Sequence, residues 1–483
     1  MKKFLSDSIL ITAGGLVNRT KGFIFIPVIV AYIGLEGYGA YTQIFVMIFT
    51  LKAVFSLELG SGFQRFVPGL EGDKRQQANH FFSVFIPSIL LGLSGSLLLY
   101  LIAGWLNDVF LDNNYLLALQ YAALILTTNV CYANFSKYLL AVKKFKTYTS
   151  ITFFYDLLPY LAFVGGIMLT EDVATGLLLY LCMDALLVAT MAVVIMRSLP
   201  LGRFSPALFN KYVRYSYALS LGSIEGGLLD KVDRYFISYF LGVESVGIYN
   251  VIYKICSASD FITTPIKKQL LSYLAGVWDK GYHEASVFAV RQGLLIFALI
   301  SIGLMTFLSI NMDALLSLML DDALPQIPLG WIVVFISSGI IAHAAKRFYN
   351  LLIHLEKRTI DELRFQTIGL VFNVVLNLIL IPLIGLLGAA IATFVSYMLV
   401  IVLIEMRYRL SLDRAFGWHL ITFVMMALGV SFAFNWLFRP WYPLGLIFSA
   451  IASGTTYLAL VYYTKQQMLT ELKRSLEDFK KLV

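Results

Sequence analysis

The sequence predicts an all-α integral membrane protein with about fourteen transmembrane helices, arranged as two six-helix lobes followed by two C-terminal helices. Three observations support this fold class: the composition, a series of long apolar segments and an internal repeat. Of the 483 residues, 59% are hydrophobic and 14% are charged, and the mean hydropathy is +0.79. Soluble domains are roughly half apolar and about a quarter charged, so the chain is too apolar for that class.

Long apolar segments recur along the whole chain, with short polar connections between them. A helix that crosses the bilayer needs about 20 mostly apolar residues. The fourteen predicted spans cover residues 6–33, 38–63, 78–104, 114–137, 147–170, 174–197, 213–241, 245–267, 287–311, 327–351, 360–383, 386–407, 415–438 and 443–464. The first apolar run has no clear small-residue cleavage site, so we interpret it as a retained helix rather than a signal peptide.

The distribution of basic residues predicts the orientation. When the N-terminus is placed in the cytoplasm, every Lys and Arg outside the spans falls on the cytoplasmic side except Arg439. Acidic residues instead occupy the outer turns, as Glu36, Asp112 and Asp172 do. Basic residues retained on the cytoplasmic side set the orientation of a membrane protein. Both termini are therefore predicted to be cytoplasmic, and the net charge of +8 reflects topology rather than a nucleic-acid partner.

An internal repeat predicts the division into lobes. Residues 32–41 (YIGLEGYGAY) align with residues 240–249 (FLGVESVGIY) at a shift of 208 positions. The identical pairs are Gly34/Gly242, Glu36/Glu244, Gly39/Gly247 and Tyr41/Tyr249. A shift across six helices preserves orientation, so the repeat is of the parallel kind, with an axis along the membrane normal.

The repeat divides the chain into five predicted regions. They are an N-lobe at 1–197, a cytoplasmic linker at 198–212, a C-lobe at 213–410, two further spans at 411–464 and a tail at 465–483. The tail has apolar residues along one helical stripe and basic residues elsewhere. We expect it to lie on the cytoplasmic leaflet and to bind membrane lipids there.

Charged residues in the leading hairpin of each lobe are the candidates for a binding site. Counting about 1.5 Å per residue places Arg19, Lys52, Glu225 and Lys254 near the middle of spans 1, 2, 7 and 8. A charge at that depth is costly unless something compensates for it, and a cationic pocket between the lobes suits an anionic ligand. Two alternatives stay open: Glu225 could neutralise Lys254 or Arg19, and Lys254 could extend to the membrane interface.

Two further acidic residues lie at mid-depth in the first lobe. Asp156 on span 5 and Asp184 on span 6 could bind a coupling proton or Na⁺, or could bond to neighbouring hydroxyl groups. Asp230 and Arg234 are four residues apart on span 7 and are expected to pair within that helix. The cysteines and histidines show no metal-ligand spacing, so neither a metal nor a cofactor is expected.

Three stretches carry a resemblance to a known family. Residues 215–255 (YSYALSLGSIEGGLLDKVDRYFISYFLGVESVGIYNVIYKI) resemble spans 7 and 8 of polysaccharide-transporter (Wzx-like) flippases. Residues 57–76 (LELGSGFQRFVPGLEGDKRQ) resemble the end of span 2 and its loop, and residues 369–400 resemble spans 11 and 12. That family belongs to the MOP superfamily, which also contains lipid II flippases and MATE exporters.

The resemblance implies an alternating-access transporter rather than an enzyme. The implied substrate is a polyprenyl-pyrophosphate-linked oligosaccharide, such as an O-antigen, capsule or exopolysaccharide unit, moved across the bacterial cytoplasmic membrane. Arg19, Lys52 and Lys254, with Glu225, are then the expected substrate-binding residues. Polysaccharide polymerase and chain-length machinery are further expected partners.

Other functions remain open at this point. A MATE-like cation-coupled antiporter is the main alternative, although Arg19 in span 1 disfavours organic cations. An integral-membrane glycosyltransferase or ligase would need a longer extramembrane loop than this chain contains. A structural scaffold would not explain the charges at mid-membrane depth.

Overall fold

The computed structural model describes residues 2–70, 72–257, 274, 278, 281–320, 329–356, 358–408, 414–438 and 444–464. Within these residues the regular structure is entirely helical, which confirms the predicted all-α fold class. Residue contacts divide the chain into two compact units, Met1–Asn250 and Val251–Val483. The predicted tail at 465–483 and the end of span 8 lie outside the described residues.

The first unit consists of nine α-helices and one 3₁₀ turn, Pro68–Leu70, within its described residues. The helices are α1 Lys2–Phe55, α2 Leu59–Phe66, α3 Lys74–Phe110, α4 Leu116–Ala141, α5 Phe145–Thr170, α6 Val173–Met196, α7 Pro206–Leu229, α8 Val232–Leu241 and α9 Val243–Cys256. Helix α9 continues into the second unit. The α3–α4, α5–α6 and α4–α6 pairs pack closely, and α1 lies against α4, α5 and α7.

The second unit contains six further helices in the part of the chain that the structure describes. They are α10 His283–Leu320, α11 Leu329–Leu355, α12 Thr359–Ile384, α13 Leu386–Tyr408, α14 Arg414–Phe438 and α15 Leu444–Thr464. Helix α13 packs against α11 and α12, while α10 packs against α11, α14 and α15.

Ten described segments are long and apolar enough to cross a membrane. They confirm a multi-pass membrane protein, and each of the fourteen predicted spans contains helix. The ten segments are four fewer than the predicted spans. Spans 1 and 2 lie within one kinked helix, and span 7 is divided between α7 and α8. In spans 8 and 13 the described apolar helix is short, 14 residues in α9 and Thr422–Phe438 in α14.

The two turns matched by the repeat have the same backbone conformation. Gly34 interrupts α1 with φ 67° and ψ 179°, and Gly242 separates α8 from α9 with φ 82° and ψ 168°. Only glycine adopts this region at little cost, because a Cβ would clash with the backbone. The sequence repeat therefore corresponds to a structural repeat at these two turns, while the arrangement of two six-helix lobes stays a prediction.

The helices that follow these turns cross at the second pair of matched glycines. A Cβ on Gly39 would lie 2.0 Å from the carbonyl oxygen of Val243, and one on Gly247 would lie 2.3 Å from that of Leu35. Only glycine at both positions permits so close an approach. Next to the crossing, Asn250 donates to the Thr42 hydroxyl over 3.1 Å. Thr42 and Asn250 are themselves repeat partners, so the crossing is nearly symmetric.

Predicted span 2 is interrupted, because α1 ends at Phe55 and α2 begins at Leu59. Leu57 and Glu58, in the connection, have positive φ angles of 46° and 51°. Asn134 of α4 compensates for the lost helical hydrogen bonds: its amide donates to the Ser56 carbonyl over 3.1 Å and accepts from the Gly60 N–H over 2.8 Å. The break is therefore stabilised by a residue far away in the sequence.

Predicted span 7 is also interrupted, between Leu229 and Val232. Arg234 donates to the Asp230 backbone carbonyl over 2.8 Å and forms an ion pair with the Asp233 carboxylate at 2.7 Å. Arg234 therefore contacts Asp230 within span 7, as predicted, through the Asp230 backbone carbonyl, and it also pairs with its adjacent neighbour Asp233. The Arg234 guanidinium thus provides a hydrogen-bond donor for the Asp230 carbonyl, a backbone acceptor that lies at the break.

The predicted linker at 198–212 is partly helical and is bound to α3. Helix α7 begins at Pro206, with Ser205 as its N-cap, because proline suits the first helical position. The Arg203 N–H donates to the Asn79 amide over 2.8 Å, and the Ser205 N–H donates to the Ser83 hydroxyl over 3.0 Å. These bonds hold the start of α7 against the start of α3.

Candidate functional site

Lys52 lies in the last turn of α1, immediately before the break at residues 56–58. Its side chain is half-buried, and its ammonium nitrogen lies 5.6 Å from the ring centre of Phe49. Within the described residues Lys52 makes no ion pair. The Glu58 carboxylate, the Lys137 ammonium and the more weakly acting carboxylates of Asp184 and Asp156 influence it at longer range. Lys52 is therefore a membrane-level cation that can accept a direct anionic partner.

A second lysine, Lys231, lies beside the same aromatic ring. Its ammonium nitrogen is 4.4 Å from the ring centre of Phe49, whose side chain is 38% exposed. Lys231 occupies the break in span 7, at the N-cap position of α8. One turn further on, the Tyr235 hydroxyl donates to Thr50 over 3.1 Å, which fixes α8 against α1. Lys231 lies within predicted span 7 but was not among the predicted site residues.

The other predicted binding residues are placed as follows. Glu225 is half-buried on α7, two turns before the break that contains Lys231. Lys254 is exposed in the last turn of α9 and belongs to the second compact unit. Arg19 lies on α1, and its side chain is outside the described part of the structure. Lys52 is thus the predicted cation whose surroundings in the first unit are best defined.

The predicted acidic pair lies on two helices that pack together, α5 and α6. Asp184 is fully buried and accepts a hydrogen bond from the Thr128 hydroxyl. Asp156 is half-buried, and its backbone carbonyl accepts from Lys21, whose ammonium also lies 5.1 Å from the Tyr160 ring centre. A fully buried carboxylate is a group that a proton or small cation could neutralise.

A polar cluster next to the break in span 2 was not predicted. Lys137 of α4 forms an ion pair with Glu58 and also donates to Ser61 over 2.9 Å. Ser223 of α7 donates to the other Glu58 oxygen over 3.2 Å. The sequence signal was the pair of charges near the ends of spans 2 and 4, but their proximity depends on the break itself. The cluster connects α2, α4 and α7 around one carboxylate.

The second unit contains buried amides that sequence reasoning also missed. Asn373 and Asn377 are both fully buried on α12, and the Asn377 amide donates to the Asn373 side-chain oxygen over 2.8 Å. Their four-residue spacing in an apolar span was the available signal. Among the residues that the structure describes, no group of three or more His, Cys, Asp or Glu side chains could hold a metal ion.

Comparison with known proteins identifies a family. Residues 4–269, more than half of the chain, match the model of the family described as "Polysaccharide biosynthesis protein". An uncharacterized membrane protein of Methanocaldococcus jannaschii is 26% identical over 200 residues, 40% of this chain. The match spans only 38% of that relative's length.

Two solved structures have a similar fold. The lipid II flippase MurJ in its inward closed conformation superposes with a TM-score of 0.75 and 14% identity, over 94% of this chain and 99% of its own. An inward-facing multidrug resistance MATE family transporter of the MOP superfamily superposes with a TM-score of 0.64 and 13% identity, over 81% of this chain and 94% of its own. At these identities the likeness establishes a common fold.

Proposed function

The chain belongs to the polysaccharide biosynthesis protein family, and on that basis we propose that it is a flippase for a polyprenyl-pyrophosphate-linked oligosaccharide. It moves the lipid-linked glycan across the bacterial cytoplasmic membrane by alternating access, with both termini in the cytoplasm. Polysaccharide polymerase and chain-length machinery then act on the delivered unit.

The observation that carries this proposal is the environment of Lys52. A half-buried ammonium in a predicted span, without an ion pair among the described residues, lacks a direct countercharge. The translocon scale puts a lysine at the centre of a helix at roughly 2.5–3.5 kcal/mol, so such a charge is retained for a purpose. An anionic headgroup supplies the countercharge while its lipid chain stays in the bilayer.

Each remaining site residue has a role in this proposal. Arg19 binds the pyrophosphate with two parallel hydrogen bonds, as a guanidinium can, and Lys254 contributes at a shallower position. Glu225 balances the cations when the site is empty. Asp156 and Asp184 bind the coupling cation, because Asp184 is buried and can interact with Lys52 at long range.

A MATE-like cation-coupled antiporter is the second candidate. The fold shared with a MATE transporter and the buried Asp184 carboxylate favour it. The positive charges of Lys52 and Lys231 beside the Phe49 ring disfavour an antiporter, since drugs expelled by such antiporters are commonly cationic.

The experiment is complementation of a strain that lacks its oligosaccharide flippase, with membrane levels measured in the same samples. The Arg19→Ala/Lys52→Ala double variant should insert normally and fail to export glycan, and Arg19→Lys should restore export only partly. Lys211→Ala is the matched control: Lys211 also lies over an aromatic ring, 4.3 Å from the Phe66 centre, but is exposed at the start of α7. Normal export by the double variant at normal membrane levels would refute the proposed mechanism.

A further inference from the structure

A cavity lies within the second unit, where the last third of α10 meets the end of α14 and the start of α15. Its volume is about 320 Å³, which is within the range of small-molecule sites. In the predicted topology these three helix segments lie on the same, outer side, because spans 9 and 13 end there and span 14 begins there. The cavity is therefore expected at the level of the outer headgroups.

The packing of the three helices explains why space remains at this level. Deeper between them, an apolar cluster that includes Phe423 and Tyr457 fills the interface, and the Tyr457 hydroxyl donates to the Leu299 carbonyl over 3.0 Å. At the cavity, a Cβ on Gly445 would lie 2.2 Å from the carbonyl oxygen of Phe438. Glycine thus lets α15 start close against α14, while α10 faces the two helices across the cavity.

Three polar residues line the cavity: Asn311, Asp313 and Asn435. Asn311 is only 2% exposed, and its amide nitrogen donates to the Phe307 carbonyl over 2.9 Å. The Asn311 amide oxygen has no hydrogen-bond partner among the residues that the structure describes. A buried acceptor without a donor is costly, so this oxygen indicates a donor that comes from a ligand.

The charge of the lining is negative. The exposed Asp313 carboxylate makes no ion pair within the described residues, and Asn435 on α14 is half-buried. Each of the three polar side chains offers at least one acceptor oxygen. Acceptors with a net negative charge select a cationic donor rather than an anion.

The apolar surroundings favour a ligand that is attached to a lipid. Ile310, Phe438 and Leu446 complete the wall of the cavity. Beside it, Trp436 near the end of α14 and Phe448 near the start of α15 are exposed. Aromatic side chains of this kind are enriched where the hydrocarbon core meets the headgroups.

We propose that this cavity binds the primary ammonium group of an aminophospholipid headgroup, as in phosphatidylethanolamine. An ammonium group has three N–H donors, and the three polar side chains of the lining supply acceptors for them. The Asp313 carboxylate supplies the countercharge, and the acyl chains lie along the exposed apolar residues of α14 and α15. This site is separate from the substrate site of the proposed function and does not depend on it.

The test measures lipid binding to the purified full-length chain in detergent, by titration followed with native mass spectrometry. The probes are dioleoyl phosphatidylethanolamine, the phosphatidylcholine and phosphatidylglycerol with the same chains, and free ethanolamine. Phosphatidylcholine keeps the positive charge but has no N–H donor. The unaltered chain should therefore bind phosphatidylethanolamine about tenfold more tightly than phosphatidylcholine, a factor that one charge-assisted hydrogen bond provides.

Variants assign the preference to the cavity. Asp313→Asn removes the countercharge and should reduce the preference to within about twofold, and Asn311→Leu should reduce it about threefold or more. Asp108→Asn is the matched control, because Asp108 is also an exposed carboxylate on the predicted outer side but lies on α3, away from the cavity. If Asp313→Asn does not fold, Asp313→Ser replaces it.

Each contrary result overturns a stated part of the proposal. An unaltered chain without a preference, or a full preference in folded Asp313→Asn, overturns the ammonium site. Tighter binding of phosphatidylglycerol than of phosphatidylethanolamine would identify hydroxyl groups as the ligand chemistry and overturn it as well. Free ethanolamine that binds as tightly as the lipid would overturn the lipid assignment in favour of a soluble amine. Because none of these measurements involves export, none of them bears on the proposed function.

Discussion

At the scale of single residues, the two predicted groups of charges turn out to be electrically connected. The sequence placed Lys52 among the binding residues and Asp184 among the coupling residues, on separate spans. In the structure α1, which carries Lys52, packs against α5 and α6, which carry Asp156 and Asp184, so the charges can interact at long range. Neutralising these carboxylates would leave the positive charge of Lys52 less balanced, and would thereby strengthen its attraction for an anion. This offers a direct link between cation binding and substrate binding.

That link predicts how transport responds to the ion gradient when Asp156 and Asp184 are both replaced by uncharged residues. In the Asp156→Asn/Asp184→Asn double variant, transport should lose its dependence on the proton or Na⁺ gradient, because the two carboxylates proposed to bind the cation are gone. The measurement is export in inverted vesicles with and without an imposed gradient. Asp172→Asn is the control, since Asp172 is an exposed N-cap residue of α6 and should leave the gradient dependence intact. A double variant with undiminished gradient dependence would make both residues structural.

The sequence predicted which charged residues matter better than it predicted their partners. Lys52 and Asp184 were identifiable because a charge within an apolar span is rare and costly. The contacts of Lys21 and Lys137 were not, since their partners lie on other spans: the Asp156 carbonyl for Lys21 and the Glu58 carboxylate for Lys137. Depth along a helix can be counted from a sequence, but neighbours across a helix interface cannot.

At the scale of helices, the breaks are the features that sequence reasoning missed. A run of apolar residues indicates that a span exists, and all fourteen predicted positions do contain helix. The break at residues 56–58 carries no proline to mark it, and it depends on Asn134 for the missing backbone hydrogen bonds. Similarly, the break at 230–231 depends on the Arg234 guanidinium. Tertiary partners, which a local pattern does not show, decide where these spans are interrupted.

The role of Asn134 leads to a stability prediction. Asn134→Leu removes the acceptor of the Gly60 N–H, and a buried group left unsatisfied costs about 1–3 kcal/mol. It also removes the donor to the Ser88 hydroxyl and one of two donors to the Ser56 carbonyl, which keeps the Leu59 N–H at 3.2 Å. We expect a loss of about 2–5 kcal/mol in unfolding free energy, seen as a lower melting temperature in detergent. Asn129→Leu is the matched control, because Asn129 is also buried on α4 but, among the described residues, bonds only to Ile125 in its own helix. Equal destabilisation by both changes would contradict the role given to Asn134.

At the scale of the whole molecule, the compact units and the predicted lobes have different boundaries. The repeat predicts a boundary at the linker 198–212, whereas contacts divide the chain after Asn250. The reason is visible in the first unit, where α7 packs on α1, α2 and α3, and α8 packs on α1 and α3. The crossing at Gly39 and Gly247 adds to the same set of contacts. The six-helix lobes are still a prediction from the repeat.

The orientation of the chain leads to the last prediction. Because basic residues outside the spans lie almost entirely on one side of the predicted topology, that side should be cytoplasmic. Single cysteines at Asp108, Glu171 and Asp313 should react with an impermeant maleimide added to intact cells, and cysteines at Lys74, Lys146 and Arg358 should react only after permeabilisation. All six side chains are exposed, so access rather than burial decides the result. Each cysteine should be introduced into a variant that lacks the native Cys131, Cys182 and Cys256, because Cys182 is exposed and could itself react with the maleimide. Labelling at Arg358 in intact cells would refute the orientation of the second half of the chain, and labelling at Lys74 or Lys146 would refute that of the first.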